Sequence, residues 1–537
     1  MLSRAREGSS TSAAVAEKVR SILASKRLTL YRASQQSVAL YGLTSPFFLP
    51  HHLYYDLRSG SFRPSIHQIF ALSRISGYRM ADWLRVFGFD LEDITRLQIL
   101  LPSKRTMVLD TALTDPNEWI PWLRNGPLGE PIPSITPLAR LLEVGPRKRI
   151  ASVSQLDRHF IYAKIGAEDA LAFPDLTPGS IVRLDPNVTA DLAAGQNSGI
   201  SDRLFLIEHS KGFSCCRIRI LGGVIVPFDN GLSYAQVELH YPQEVRLWGA
   251  VDLEFRPLVL GEEPKVPKDL ARHWKPQMLP AHEDFGQLLK RTRTRINLSI
   301  REAAAMSRIV AEVLKDDRYV TSPSSLSDYE LRNLPPRDFH KIITLCSIYG
   351  VQFESVMKRM GIDVAEAGTE SMPDRYLARA VPTVAAKRGD VANVAPGFIE
   401  KLLGEFVEIP LFLRNSLGHF AGSAHVSPDD FFWVGGDDDP LHPFLADGLL
   451  AMVNRRRKTP FHFAAKPWWQ QPLYIVLMRE GVYVACCCSV ENGLLVIHPY
   501  SRDFHRSAQY RLHQDAEVVG QIVGIMRRFP ASFSAQT

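Results

Sequence analysis

The sequence predicts a multidomain α+β protein in which two all-α bundles alternate with two small all-β domains. The 537-residue chain repeats itself, because residues 55–90 and residues 329–363 share leucine, arginine, isoleucine and glycine in one register. With one gap, Leu57 aligns with Leu331, and weaker matches continue upstream and downstream in the same order. A repeat of this length indicates two copies of one structural plan.

Helical periodicity gives way to alternating apolar stretches twice along the chain, and these changes set the predicted boundaries. Each half is predicted to hold a helical module, a linker and a β module. The segments, in chain order, are a disordered tail (1–12), the first helical module (13–98), a linker (99–150), the first β module (151–260), a linker (261–283), the second helical module (284–365), a linker (366–392) and the second β module (393–537).

Each helical module contains apolar residues at i, i+3, i+4 and i+7, starting from Met80 in the first module and from Phe353 in the second. This spacing is typical of the buried stripe of a helix. Residues 299–302 read Ser-Ile-Arg-Glu, a capping box that predicts a helix start. Gly77 and Gly350 are predicted to end the helix that precedes each apolar stripe.

The order of these landmarks resembles the helix-turn-helix domain of phage-repressor-type transcription regulators. In that family a capped helix with early alanines is followed by a recognition helix, a turn with proline and two further helices. The matching recognition segments are 322–332 (SPSSLSDYELR) and, more loosely, 45–58 (SPFFLPHHLYYDLR). Both modules insert roughly ten residues before this segment, whereas the family has a turn of a few residues.

The β modules resemble the C-terminal domain of LexA-type and phage repressors, which shares its fold with signal peptidases. In that family a serine is the nucleophile and a lysine on a later strand is its base. Leu171 and Pro440 stand at the serine position here, and the lysine position falls at 216–217 and 485–486, where neither serine nor lysine occurs. Because the reaction needs a hydroxyl and a neutral amine, self-cleavage is expected to be absent, and the protein is expected not to be an enzyme.

The resemblance implies a sequence-specific DNA-binding transcription regulator, and the repeat implies a covalent pseudo-dimer whose two β modules pair with each other. A net charge of +6 permits an anionic partner. Double-stranded DNA is the expected partner, and further self-association through the β modules is left open. The residues predicted to contact DNA are polar or basic side chains of the recognition segments and nearby helix starts: His51, His52, Tyr54, Arg58, Arg63, Lys290, Arg291, Arg301, Ser324, Ser325, Asp328 and Arg332.

Two alternative functions stay open. The first is a protein-interaction scaffold derived from such a regulator, which the aromatic residues at 47–48 and 54–55 favour, since aromatic side chains are common at protein interfaces. The second is a switch protease that uses Ser180 or Ser214 as a displaced nucleophile. A steep salt dependence of DNA affinity would separate the regulator from the scaffold.

No cofactor, metal or membrane partner is predicted. Six cysteines are too few for a disulfide framework, and the neighbours Cys486, Cys487 and Cys488 point alternately to opposite faces of a strand. The acidic run at 437–439 is predicted to be a solvated loop. The first residues lack the apolar core of a signal peptide, and no apolar run is long enough to span a bilayer, so a cytoplasmic location is expected.

Overall fold

The chain folds as a mixed α+β protein of two compact units. The helical unit contains residues 1–101, 110–113 and 280–385, and the β unit contains residues 102–109, 114–279 and 386–537. The computed structural model describes residues 2–60, 64–111, 118–123, 135–137, 160–173, 175–187, 200–228, 237–258, 283–377, 403–409, 430–434, 449–463, 471–498 and 508–529.

Helices of the described residues all belong to the helical unit. They are α1 (Leu2–Ser25), α2 (Leu30–Tyr41), α3 (Leu53–Ser59), α4 (Ile66–Ser76), α5 (Met80–Val86), α6 (Glu92–Leu100), α7 (Phe285–Arg295), α8 (Ile300–Leu314), α9 (Pro323–Leu331), α10 (Phe339–Tyr349) and α11 (Phe353–Arg359). Three short 3-10 turns cover Asp317–Tyr319, Val364–Glu366 and Asp374–Tyr376.

Strands of the described residues all belong to the β unit. Those before residue 280 are β1 (Met107–Val108), β2 (Glu118–Leu123), β3 (Thr136–Pro137), β4 (Ile161–Lys164), β5 (Ile181–Asp185), β6 (Ile200–His209), β7 (Gly212–Leu221), β8 (Val224–Phe228), β9 (Leu239–His240) and β10 (Val245–Pro257). Those after it are β11 (Leu403–Ile409), β12 (Phe431–Val434), β13 (Leu449–Asn454), β14 (Leu473–Met478), β15 (Tyr483–Glu491), β16 (Leu494–His498), β17 (Ala508–Arg511) and β18 (Ala516–Arg528).

The four modules are grouped by type rather than standing as four separate domains. Both helical modules share one buried apolar core, and strands of both β modules hydrogen bond in one sheet. Helix α1 includes the segment 2–12, which was predicted as a disordered tail, and this segment begins with the helix formers leucine, alanine, arginine and glutamate. Strands β1, β2 and β3 lie in the predicted linker 99–150, and each of them pairs with a strand of a β module.

The local helix signals are confirmed. The Ser299 hydroxyl accepts from the Glu302 N–H at 3.2 Å, and the Glu302 carboxylate accepts from the Ser299 N–H at 2.8 Å, which completes the capping box. Gly77 and Gly350 end α4 and α10 in the left-handed conformation, with φ of 77° and 64°. A side chain would strain this conformation, which explains why glycine stands at both helix ends.

The repeat is visible as a matched hydrogen-bond arrangement in the two helical modules. The buried Ser37 hydroxyl donates to the carbonyl three residues before it at 2.7 Å and accepts from the Leu49 N–H at 3.0 Å. The buried Ser307 hydroxyl makes the same two bonds, at 2.7 Å and, from the Thr321 N–H, at 2.9 Å. Each serine therefore fixes the loop that leads to the next helix, 12 residues downstream in the first module and 14 residues downstream in the second.

The structure corrects the register of the repeat at α3 and α9. The alignment of Leu57 with Leu331 is wrong, because Leu57 is buried and Leu331 is 69% exposed. Buried Glu330 takes the place of Leu57 instead. Gly60 and Asn333, the left-handed residues that follow the two helices, are as many residues apart in the sequence as Leu57 and Glu330 are, so the backbone supports this alignment. This offset also holds after the supposed gap, so no gap is needed.

Each helical module is followed by a segment that packs against the other module. Gln98 of α6 donates to the Cys346 carbonyl of α10 at 3.1 Å, and the Asp110 carboxylate accepts from the Phe353 N–H of α11 at 2.6 Å. The last helix of the first module and the segment after it therefore contact the second module at the end of α10 and the start of α11.

The reverse contact is made by the segment after the second module. The Gly368 N–H donates to the Ser73 hydroxyl at 3.0 Å, and the Glu370 carbonyl accepts from the Arg79 N–H at 2.9 Å. Ser73 and Cys346 are equivalent in the repeat, because each stands four residues before the glycine that ends its helix. The two modules thus exchange their following segments reciprocally, as two subunits of a twofold dimer do.

The two β modules have the same topology. The strand order is β4-β5-β10-β6-β7-β8-β9 in the first and β12-β13-β18-β14-β15-β16-β17 in the second, with antiparallel neighbours throughout. Antiparallel pairing of β10 with β18 joins them into one 16-stranded sheet. This is the pairing of β modules that the repeat predicts.

The register of β10 and β18 is that of a twofold axis. Phe255 lies opposite Met526 in this ladder. These two residues occupy the same position in the two copies of the repeat, because they are as far apart in the sequence as Gly249 and Gly520 are. Residue 248 of β10 is skipped where β10 pairs with β6, because the register shifts there. Residue 519 of β18, which is equivalent to residue 248, is skipped in the same way where β18 pairs with β14. A self-complementary register of this kind defines an isologous interface.

Candidate nucleic-acid interface

Helix α9 is held on the second helical module by a buried ion pair at its C-terminal end. The Arg293 guanidinium of α7 donates to both oxygens of Glu330, at 2.7 and 2.8 Å, and the Tyr349 hydroxyl of α10 donates to the same carboxylate at 3.0 Å. Gly286 lets α7 approach closely, since an added Cβ would lie 2.6 Å from the Glu330 carbonyl oxygen. The base of α9 is therefore fixed to two other helices.

The first turn of α9 presents short polar side chains to solvent. The Ser322 hydroxyl caps the helix by accepting from the Ser325 N–H at 3.1 Å, and Pro323 occupies the first helical position. The hydroxyls of Ser324 and Ser325 each lie 2.9 Å from that of Ser322. Three hydroxyl groups, each able to donate or accept, thus cluster at an exposed helix start.

The basic residues predicted to contact DNA in the second module differ in what they contact. Lys290 and Arg301 are exposed on α7 and in the first turn of α8. Arg291 donates to both carboxylate oxygens of Glu283, at 2.8 and 3.0 Å for its Nε, so its charge is already compensated.

At the far end of α9, Arg332 lies 3.3 Å from Asp328 in an exposed i,i+4 ion pair. Such a pair is weak in water and opens readily, so Arg332 remains available to a phosphate group. Asp328, which was predicted to reach a base edge, faces Arg332 instead of standing alone on the helix.

The recognition segment of the first helical module is arranged differently. His51 and His52 lie in the turn before α3, and the His52 ring is 3.1 Å from the Asp56 carboxylate. Tyr54 is half-buried, and its hydroxyl donates to the Glu17 carboxylate of α1 at 3.1 Å. His52 and Tyr54 are therefore engaged within the module, whereas His51 is exposed. Of the two remaining, Arg58 is exposed near the end of α3, and Arg63 lies outside the described residues.

The ion pair under α9 has an apolar counterpart in the first module. Leu57 takes the place of Glu330, and Leu23 takes that of Arg293. Arg27 and Asn297, the left-handed residues that follow α1 and α7, are as many residues apart in the sequence as Leu23 and Arg293 are, which supports this alignment. Both leucines are buried in the core. This exchange could not be predicted from the sequence, because an alignment by identity pairs Leu57 with Leu331 rather than with Glu330.

The described parts of the β modules lack the family's catalytic groups at the expected positions. Leu171 is buried at the serine position, and Pro440 lies outside the described residues. At the lysine position, burial raises the pKa of Cys216 well above its usual value, and Arg217 pairs with Asp175 at 2.6 Å. In the second module, Ala485 and Cys486 are buried.

The displaced nucleophiles of the protease alternative are both buried and engaged. The Lys211 N–H donates to Nδ1 of His209 at 3.2 Å, so a neutral imidazole carries its proton on Nε2, which lies 3.3 Å from the Ser214 hydroxyl. His209 in that state donates to Ser214 and cannot take its proton. Ser180 donates to Glu254 at 2.7 Å, and the Arg256 guanidinium holds the same carboxylate.

Lys164, the last residue of β4, is a buried titratable residue that was not among the predicted site residues. Burial lowers the pKa of its amine to about 8, which is the direction that a catalytic amine requires. Val434, the last residue of β12, takes its place in the second β module, so the feature belongs to one module only. A buried strand lysine has no periodic or motif signal by which the sequence could have marked it.

Comparisons with protein-family models and with curated proteins find no match to this chain. All six cysteines are buried and free. Within the described segments, no group of three or more histidine, cysteine or acidic side chains is placed to hold a metal ion, and residues 437–439 lie outside those segments. Among the helices described, none is long and apolar enough to cross a membrane.

Proposed function

We propose that the protein is a sequence-specific DNA-binding transcription regulator that acts as a covalent pseudo-dimer, without autoproteolysis. The observation that carries this proposal is α9, whose base is fixed by the Arg293–Glu330 ion pair while its first turn exposes Ser324 and leaves Ser325 half-buried. A rigidly held helix with short polar side chains at its start suits hydrogen bonding to base edges in the major groove.

Basic side chains around α9 support the same proposal. Lys290 and Arg301 stand exposed on the two helices before α9, and Arg332 stands exposed just after it. Contacts of this kind with phosphate groups position a protein on the duplex and supply most of its non-specific affinity. The recognition helix thus has cations before and after it in the chain.

The pseudo-dimer part of the proposal rests on the twofold features of both units. Reciprocal exchange of segments joins the helical modules, and the β10–β18 ladder joins the β modules. Regulators of the phage-repressor type commonly bind DNA as symmetric dimers of two chains. A covalent connection makes the second contact intramolecular, so affinity does not depend on assembling two chains.

The absence of autoproteolysis is proposed because the described catalytic positions cannot perform the reaction. Leu171 offers no nucleophile, and Cys216 is buried with a raised pKa, so it is not a base at neutral pH. Incubation at alkaline pH is expected to leave the intact mass unchanged, and a fragment cut within residues 102–279 would contradict this part of the proposal.

The DNA affinity of the protein is expected to fall steeply with salt concentration. The Lys290→Ala, Arg301→Ala double variant should lower the slope of log affinity against log salt by about two, since each lost phosphate contact lowers it by about one. Fluorescence anisotropy with a labelled duplex at several salt concentrations measures this slope. Lys458→Ala in the β unit is the matched control and should leave it unchanged. Affinity that is indifferent to salt would refute DNA binding.

A protein-interaction scaffold remains the second candidate, and one observation favours it. The first helical module exposes Tyr55, Leu43 and Tyr31, with 71%, 69% and 63% of each residue accessible. Large exposed apolar side chains are typical of surfaces that bind other proteins. The salt titration decides between the two candidates, because a scaffold of this kind shows no salt-dependent DNA affinity.

A further inference from the structure

The two recognition segments differ most at their first turns. Gly60 and Asn333 end the two helices at equivalent positions, and the same offset makes Pro50 the equivalent of Pro323. Helix α9 begins at Pro323, but α3 begins only at Leu53. The turn that α9 forms with residues 323–325 is therefore missing from the helix in the first module.

The cause is the residue before the proline. Ser322 caps α9 with its hydroxyl, whereas the equivalent residue in the first module is Leu49, which has no acceptor side chain. Leu49 is 1% exposed, and its N–H is taken by the Ser37 hydroxyl at 3.0 Å. Without a capping group the N–H groups of that turn have no partner in the helix. Helix α3 starts only at Leu53, and His52 before it makes no side-chain capping bond.

Because this turn is not helical in the first module, the side chains that would contact base edges are not carried on a helix start there. The equivalents of Ser324 and Ser325 are His51 and His52, which lie outside α3. His52 is 3.1 Å from Asp56 on the following turn. The first module therefore has a short helix whose leading side chains are not presented on a helix start.

We infer that only α9 reads bases and that the first helical module contributes phosphate contacts alone, through side chains such as Arg58. This inference rests on the proposed function and specifies its target. Regulators with two equivalent recognition helices bind two half-sites about one helical turn apart. This chain would instead recognise a one-sided site, a single block of specified base pairs next to a stretch of any sequence.

Selection of binding sites from a random duplex library with the full-length protein tests the inference. The expected result is one continuous block of preferred base pairs, with no inverted copy about 10 base pairs away. Two blocks related by inversion would overturn the inference and leave the regulator proposal standing. Absence of any sequence preference, together with affinity that does not depend on salt, would refute both.

A pair of matched double variants assigns the reading to one module. Ser324→Ala, Ser325→Ala should lower the ratio of specific to non-specific affinity about tenfold or more, because base contacts are lost. His51→Ala, His52→Ala should change that ratio by less than about twofold. His51, His52 and Ser324 are exposed and Ser325 is half-buried, so circular dichroism should show unchanged helix content. A larger loss of specificity from the histidine pair would contradict the inference.

Discussion

Replacing Glu330 by leucine is expected to destabilise the helical unit by about 3–5 kcal/mol, the typical cost of removing one partner of a buried ion pair. The Glu330 side chain is 2% exposed, and that of Arg293 is 14% exposed. The substitution leaves the guanidinium without its carboxylate in a largely water-excluded place, and the Tyr349 hydroxyl loses its acceptor as well. Urea denaturation followed by helical circular dichroism measures the loss.

The chain itself supplies the matched control for this experiment. Arg293→Leu, Glu330→Leu places leucine at both positions, as in the first module, where the equivalent residues Leu23 and Leu57 are buried in the core. The double variant is expected to recover most of the lost stability, since well-packed apolar residues often replace a buried ion pair at little cost. A double variant as unstable as Glu330→Leu alone would show that the two modules are not equivalent at this position.

Replacing Asp110 by asparagine is expected to stabilise the helical unit at neutral pH by about 1–3 kcal/mol. Burial raises the pKa of Asp110 from 3.8 to about 6, so the folded protein keeps this proton between about pH 4 and 6 while the unfolded chain has lost it. The free energy of unfolding therefore decreases as pH rises through this window. Asparagine removes the charge and keeps an oxygen for the Phe353 N–H.

Denaturation at several pH values between 4 and 7 tests this prediction. Wild-type protein should lose stability across the window relative to Asp110→Asn, and the two should converge at the acidic end. Asp90→Asn is the control, because Asp90 is 44% exposed and lies 3.6 Å from Arg85 in a surface ion pair, so its removal should change stability by less than about 1 kcal/mol. Equal pH dependence of wild type and Asp110→Asn would contradict the account.

Local features of the fold could be predicted from the sequence. The capping box at Ser299, the helix-ending glycines at 77 and 350 and the apolar stripes depend on residues a few positions apart, and all are confirmed. The long repeat also predicted the pairing of the β modules, because equivalent surfaces of two copies favour twofold contact.

The features that required the structure depend on distant partners. Arg293 and Glu330 meet across two helices, and no local pattern marks either as buried. Leucine at both 57 and 331 suggested an alignment by identity, whereas burial places Glu330 opposite Leu57. For the candidate interface, the sequence indicated helix α9. It did not indicate that the two histidines predicted in the first module lie outside α3, or that the Tyr54 hydroxyl is held by α1.

The central claim is that each unit is built from equivalent elements of both halves of the chain, and cutting the chain between the halves tests it most directly. A protease site inserted between residues 258 and 283 separates the halves without touching a described element. Because both units are built from both halves, the two fragments are expected to co-elute in size-exclusion chromatography and to keep the DNA affinity of the intact protein. Fragments that separate under native conditions while each keeps its secondary structure would contradict the claim.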